Sequence, residues 1–264
     1  MFAKYLDRWA LIADGTPIET HNSHLLPVRR HGVAAMLKVA TAAEERAGAK
    51  LMAWWNGSGA AKVLAWDEDA LLLERADHNG TLAAMARTGD DDEASKILCR
   101  VVATLHEPRS EPPPPLVPLE QWFRALTHDT EAHDGVVAHA GATTRDLLAT
   151  QREVVSLHGD IHHGNVLHFG ERGWLAIDPK GLVGDRCFDY ANLFCNPDHE
   201  TATAPGRFAR QVAVVAEAAR LERQRLLRWT LAWAGLSAAW LIEDGASAAT
   251  PLCVAEQAAR ALKD

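Results

Sequence analysis

Leu157-His158-Gly159-Asp160-Ile161-His162-His163-Gly164-Asn165, followed by Trp174-Leu175-Ala176-Ile177-Asp178-Pro179, decides how this chain reads. It sets out an acid, an amide five residues on, and a second acid at the end of an apolar run. Metal-assisted phosphoryl transfer asks a protein chiefly for positioning and charge neutralisation, and these residue types supply both. Asp160 is expected to orient an attacking hydroxyl. Asn165, through its side-chain carbonyl, and Asp178, through its carboxylate, are oxygen ligands of the kind Mg²⁺ takes. Val154-Val155-Ser156-Leu157 and Val166-Leu167 read as short buried strands, so a rigid hairpin is expected to carry the loop between them.

The same stretch admits a second chemistry. His158, Asp160, His162 and His163 resemble the His/Asp ligands of a zinc-dependent hydrolase. That reading leaves Asn165 and Asp178 without roles and needs further ligands, for which Asp198-His199 is the weak remaining candidate. His158 reads more simply as a ring that bonds loop backbone, and His162 and His163 as half-buried packing. Phosphoryl transfer uses more of the pattern, and the chain reads as a small-molecule kinase.

Composition bounds the partners. The 264 residues are 48% hydrophobic and 23% charged, ordinary for a globular chain with a sizeable core. Lys and Arg number 27 against 35 Asp and Glu, a formal charge of −8, which argues against nucleic acid or an anionic membrane surface and suits a cationic small molecule. Cys99, Cys187, Cys195 and Cys253 form no CxxC pair, so reduced thiols are expected. Charges interrupt Met1 to Arg8 where a signal peptide would be apolar, and a cytoplasmic setting is expected. The apolar run Trp229 to Ile242 is too short to span a bilayer of about 30 Å and reads as a buried helix. A monomer or a homodimer fits equally.

Strand-like segments fall near residues 9–13, 18–28, 33–39, 62–66 and 70–75, interrupted by one helix from Thr41 through Trp55 that stops at Asn56-Gly57. After Ala76 the pattern turns helical, over 82–87, 92–105, 119–127, 143–153, 207–220, 223–242 and 254–262. The expected fold class is therefore α+β, two lobes: residues 1–76 as a small antiparallel sheet with one helix, and 77–264 as a larger, mainly helical lobe. A hinge near Glu74 to Asn79 would set a nucleotide base against the backbone of Glu74 to Ala76. Pro112-Pro113-Pro114-Pro115 reads as a stiff connector within the second lobe.

Lys38 closes the strand Ala34-Ala35-Met36-Leu37, and the next helix offers Glu44 and Glu45. In a kinase-like lobe such a lysine is expected to hold the nucleotide phosphates and to be held itself by a helix acid. A Gly-rich phosphate loop is missing. Its place is taken by His21-Asn22-Ser23-His24-Leu25, whose amides and Ser23 hydroxyl are the candidates for covering phosphate.

With these residues assembled, the chain resembles the aminoglycoside phosphotransferases, and within them the aminoglycoside 6-phosphotransferase/hydroxyurea phosphotransferase group associated with streptomycin resistance. The likeness rests on residues 157–165, Gly173 to Gly184 and Leu236-Ser237-Ala238-Ala239-Trp240, with support in Trp54-Trp55-Asn56-Gly57 and Leu71-Leu72-Leu73-Glu74. It implies a protein-kinase-like fold, ATP (or GTP) and Mg²⁺, Asp160 as catalytic base, Asn165 and Asp178 as metal ligands, and Lys38 with Glu45 as the phosphate-holding pair. It also implies that Asp189 supports the catalytic loop. Asp185, Asp198, Glu243 and Asp244 are candidates for binding a guanidinium or ammonium group. Trp229, Trp233 and Trp240 recur at helical intervals and are expected to pack the core.

Overall fold

The computed structural model describes residues 1–20, 22–41, 43–77, 80–128 and 134–263, with the side chains of 43–45 outside that description. The chain opens with α1 (Ala3–Arg8), whose Tyr5 is buried beneath the first sheet. Strands β1 (Leu11–Ala13), β2 (Ile18–Glu19), β3 (Ser23–Arg30) and β4 (Val33–Ala40) follow. His31 and Gly32, both at positive φ (50° and 82°), join β3 to β4 in the two-residue form that matches the twist of a hairpin. Then come α2 (Ala43–Trp55), β5 (Val63–Trp66) and β6 (Ala70–Glu74). Among the described residues these make one antiparallel sheet in the order β1-β3-β4-β6-β5, with β2 beside β3.

Strand periodicity places the first candidate side chain. Ala35, Leu37 and Val39 of β4 point into the core of the sheet's far side, so Lys38 must face the other way, toward α2. Helix α2 anchors there by Leu51, Met52 and Trp55 and ends where Asn56 and Gly57 turn left-handed.

Helices dominate beyond the sheet: α3 (Leu82–Thr88), α4 (Asp91–Leu105), then β7 (Val117–Pro118), α5 (Leu119–Trp122), α6 (Arg124–Thr127) and α7 (Gly135–Ala149). Thr81 caps α3 by accepting from Ala84 N at 3.0 Å. After the central strands come α8 (His199–Ala202), α9 (Arg207–Ala218), α10 (Arg223–Glu243) and α11 (Ala249–Ala261). Helix α10 runs through the core, and Gly235 lets it approach α7 so closely that a Cβ would fall 2.2 Å from Ala140 Cβ. No helix among the described residues is long and apolar enough to cross a membrane.

The structure corrects three expectations. The single helix expected over 119–127 is broken at Phe123, whose ring is buried against Phe188 and Trp229 at 5.5 and 5.9 Å, so packing overrides local propensity. The helix expected over 143–153 begins at Gly135 and ends at Ala149. The loop that carries Asp160 is not a hairpin. Strand β8 (Val154–Leu157) pairs with β11 (Leu182–Asp185), which also takes β7, whereas β9 (Val166–His168) pairs with β10 (Trp174–Ala176). The loop is thus clamped at its two ends by two different sheets.

Candidate active site

The β9–β10 ladder brings the amide and second acid together. Ala176 lies opposite Val166, and Ile177 N donates to Asn165 O at 2.9 Å, so Asn165 and Asp178 leave the ladder side by side. Asp178 turns there with φ of +63° in front of Pro179, a conformation strained for most residues and tolerated best by Asp and Asn. Gly48 of α2 admits this turn: a Cβ on it would lie 2.0 Å from Pro179 O.

Asp160 is held from both sides. Asn192 Nδ2 donates to its Oδ1 at 2.7 Å, and Asn165 Nδ2 donates to its backbone O at 2.9 Å and its Oδ2 at 3.3 Å. With its nitrogen turned to Asp160, Asn165 has its side-chain oxygen left for a cation. Asn192 is oriented in turn by Trp233, whose Nε1 donates to Asn192 Oδ1 at 2.8 Å. Lys180 Nζ stands 3.7 Å from Asp160 Oδ2.

The loop around Asp160 is pinned by buried groups. Asp189 accepts from His158 N at 2.9 Å and Gly159 N at 2.7 Å, and His106 Nε2 donates to it at 2.8 Å. His158 donates through Nε2 to Ile177 O at 2.8 Å and accepts from Asp160 N at Nδ1 at 3.2 Å. Both ring nitrogens are spent in a neutral tautomer, and burial pushes its pKa down against the pull of Asp189 and Asp160. His162 accepts from Gly164 N at Nδ1, which leaves Nε2–H 4.0 Å from Asp160 Oδ1. His163 is 1% exposed, and burial together with Arg207 pushes its pKa down to about 3.

Lys38 pairs with Asp178, which the sequence reading did not expect. Burial pushes the Asp178 carboxyl up, but Lys38 and Lys180 outweigh it and hold the group below the ordinary carboxylate range. The side chains of Glu44 and Glu45 lie outside the described residues.

Residues 8–245 match the family described as aminoglycoside/hydroxyurea antibiotic resistance kinase. The chain belongs to this family. Streptomycin 3″-kinase of Klebsiella pneumoniae is 52% identical to it over 245 residues, 91% of this chain and 92% of that protein. Streptomycin 6-kinase of Streptomyces griseus is 34% identical over 280 residues, 98% of this chain and 89% of the relative. Among solved structures, a thermostable variant of the aminoglycoside phosphotransferase APH(4)-Ia with ADP and hygromycin B superposes with a TM-score of 0.64 at 15% identity, covering 97% of this chain and 94% of that one. A choline/ethanolamine kinase family protein from Mesorhizobium loti gives 0.67 at 16%, covering 99% and 94%. At such identities the likeness establishes the fold, which is the two-lobe, protein-kinase-like one.

Other expected site residues of the kinase lie elsewhere or are already engaged. Ser23 is 3% exposed, and its hydroxyl and amide both bond Thr20 Oγ1, at 2.9 and 3.1 Å. Glu74 ends β6. Its amide donates to Lys62 O at 3.0 Å and its carboxylate takes Lys62 N and Arg172. Ala76 follows it, half-buried, where the chain leaves the sheet.

Asp185 is 1% exposed and binds Arg225, Arg152 N and Cys187 N, a structural role that removes it from the acceptor candidates. Asp198 caps α8, and the Thr201 amide and Arg87 hold its carboxyl down to about 2. It lines a polar cavity of about 440 Å³ with Asp91, Glu200 and Arg207. Glu243 and Asp244 are exposed at the end of α10.

The zinc reading fails on His158, whose nitrogens are both engaged, and among the described residues no His/Cys/Asp/Glu group is arranged to hold a metal through such ligands. Sequence reasoning missed Asn192, Trp233 and His106. Asn192 stands three residues after Asp189, a polar residue in an otherwise apolar run, which was the available signal.

Proposed function

We propose that the kinase transfers the γ-phosphoryl group of ATP to streptomycin, at the 3″-hydroxyl in preference to the 6-hydroxyl, and thereby inactivates it. The observation that carries this is the 52% identity to a streptomycin 3″-kinase over nearly all of both chains, against 34% to a streptomycin 6-kinase. The −8 charge suits a cationic acceptor. Residues 1–76 act as the nucleotide-holding lobe and 77–264 as the catalytic and acceptor lobe.

In this reading Asp160 accepts the proton of the acceptor hydroxyl, held in one orientation by Asn192 and Asn165. Lys38 turns from Asp178 to the nucleotide phosphates. Mg²⁺ fits the residues present: the donors are oxygens, and a carboxylate and an amide carbonyl leave adjacent strand ends together. Asn165 and Asp178 would hold it, and it would neutralise phosphate charge. Ala76 and the neighbouring backbone receive the base.

Incubation with streptomycin and MgATP or MgGTP, followed by phosphorus–proton NMR of the product, tests the proposal. Phosphorus coupled to the 3″ proton is the expected result. Coupling at the 6 position, or an unmodified drug beside measurable MgATP binding, overturns the acceptor assignment.

A further inference from the structure

Lys180 stands where the reaction proposed above needs a second cation. Its amide donates to His158 O at 2.7 Å, which ties the residue to the catalytic loop. Gly159, at φ of +85°, clears its path: a Cβ there would lie 3.2 Å from Lys180 Cβ. Gly181, at φ of +70°, packs on Ala47 of α2 and fixes the other side. The side chain is 16% exposed and ends 3.7 Å from Asp160 Oδ2.

An ion pair alone is a poor account of this placement. Partly exposed pairs contribute little stability. A cation on the base oxygen also competes for the lone pair that must take the hydroxyl's proton. The space between the carboxylate that receives that proton and the carboxylate placed for the metal is where the transferring group passes, with negative charge spread over its equatorial oxygens. Lys38 is set from the sheet side, against Asp178.

We propose that Lys180 is a further catalytic residue, donating hydrogen bonds from Nζ to the γ-phosphoryl oxygens during transfer. The acceptor oxygen forms its bond to the γ-phosphorus, and the bond from that phosphorus to the β–γ bridging oxygen breaks. The electron pair leaves with ADP, the hydroxyl proton goes to Asp160, and Lys180 keeps its protons throughout. The inference rests on the phosphotransfer reading.

The test measures steady-state turnover and calorimetric binding of MgADP, with and without aluminium fluoride as a mimic of the phosphoryl in flight, for wild type, Lys180→Met and Lys180→Arg. Lys180→Met is expected to lose about 10²-fold in kcat, the size seen when one donor to developing charge is removed. Its MgADP affinity should stay near wild type while the tightening by aluminium fluoride is lost, and Lys180→Arg should restore part of both. Undiminished tightening in Lys180→Met, or an equal loss of plain MgADP affinity, overturns the proposal. Failure of the wild type to bind MgADP at all would remove the phosphotransfer reading itself.

Discussion

Asn192 donates from Nδ2 to Asp160 Oδ1 at 2.7 Å, and its orientation is set by Trp233 Nε1, 2.8 Å from its own side-chain oxygen. The core helix α10 is thereby wired to the carboxylate proposed as the base. Asn192 fixes Oδ1 while Oδ2 faces Asn165 and Lys180, so the carboxylate is kept in one orientation. Loss of that hold lets it rotate.

Asn192→Ala is expected to lower kcat by about 10²-fold, the cost of a small misplacement at a reacting group. Its KM for MgATP should change little. Trp233→Phe, which keeps the ring and removes the donor, should give a smaller loss in the same direction. Steady-state kinetics on both variants check this, and unchanged kcat in Asn192→Ala would remove its positioning role.

Gly48→Ala should separate α2 from the turn that carries Asp178. The added methyl would fall 2.0 Å from Pro179 O, so backbone has to move. Overpacking of this kind costs about 1–3 kcal/mol. Thermal melting should show that loss, and the stabilisation that MgATP confers on the wild type should shrink. A variant with wild-type melting and MgATP response would show that the two elements tolerate separation.

Asp178→Ala should abolish the MgATP-dependent rise in melting temperature, since ligand binding stabilises only what it binds. Lys38→Met should weaken MgATP binding while leaving the carboxylate in place. Equal MgATP responses in wild type and Asp178→Ala would refute the metal assignment.

Acid should destabilise the protein in a window set by its buried histidines. His163, about 3 when folded against 6.5 as its ordinary value, is neutral in the fold and takes a proton on unfolding. His158 is shifted in the same direction. The unfolded chain therefore binds more protons between these values. The His163 contribution is fully present above pH 6.5 and falls as pH drops toward 3, by about 1.4 kcal/mol per pH unit, and His158 adds a loss of the same sign. Urea midpoints from pH 7 to 4 measure the slope, and His163→Leu should flatten it. An unchanged slope would show that other groups carry the acid response.

Much of the fold was legible because its signals are local. The alternation of β4, the Asn56-Gly57 stop of α2 and the Leu71 to Glu74 run can each be read from a few neighbouring residues. What escaped was non-local. Strand β8 was visible, but its partner β11 lies beyond the loop and another ladder, so the expected hairpin was the nearest pairing and the wrong one. The grouping of Asp160, Asn165 and Asp178 is legible because spacing within one segment constrains it. Asn192 and Trp233 reach Asp160 from elsewhere in the fold, and Lys38 bonds an acid 140 residues away. Only packing reveals such partners.

The central claim, that Asp160 takes the acceptor's proton in phosphoryl transfer to streptomycin, is tested most directly by following label from γ-³²P-ATP into streptomycin with wild type and Asp160→Asn side by side. General-base removal is expected to cost about 10²–10⁴-fold in rate. The account predicts labelled streptomycin from the wild type and a loss of that order in Asp160→Asn, with MgADP binding retained. Transfer by Asp160→Asn at near the wild-type rate would contradict it.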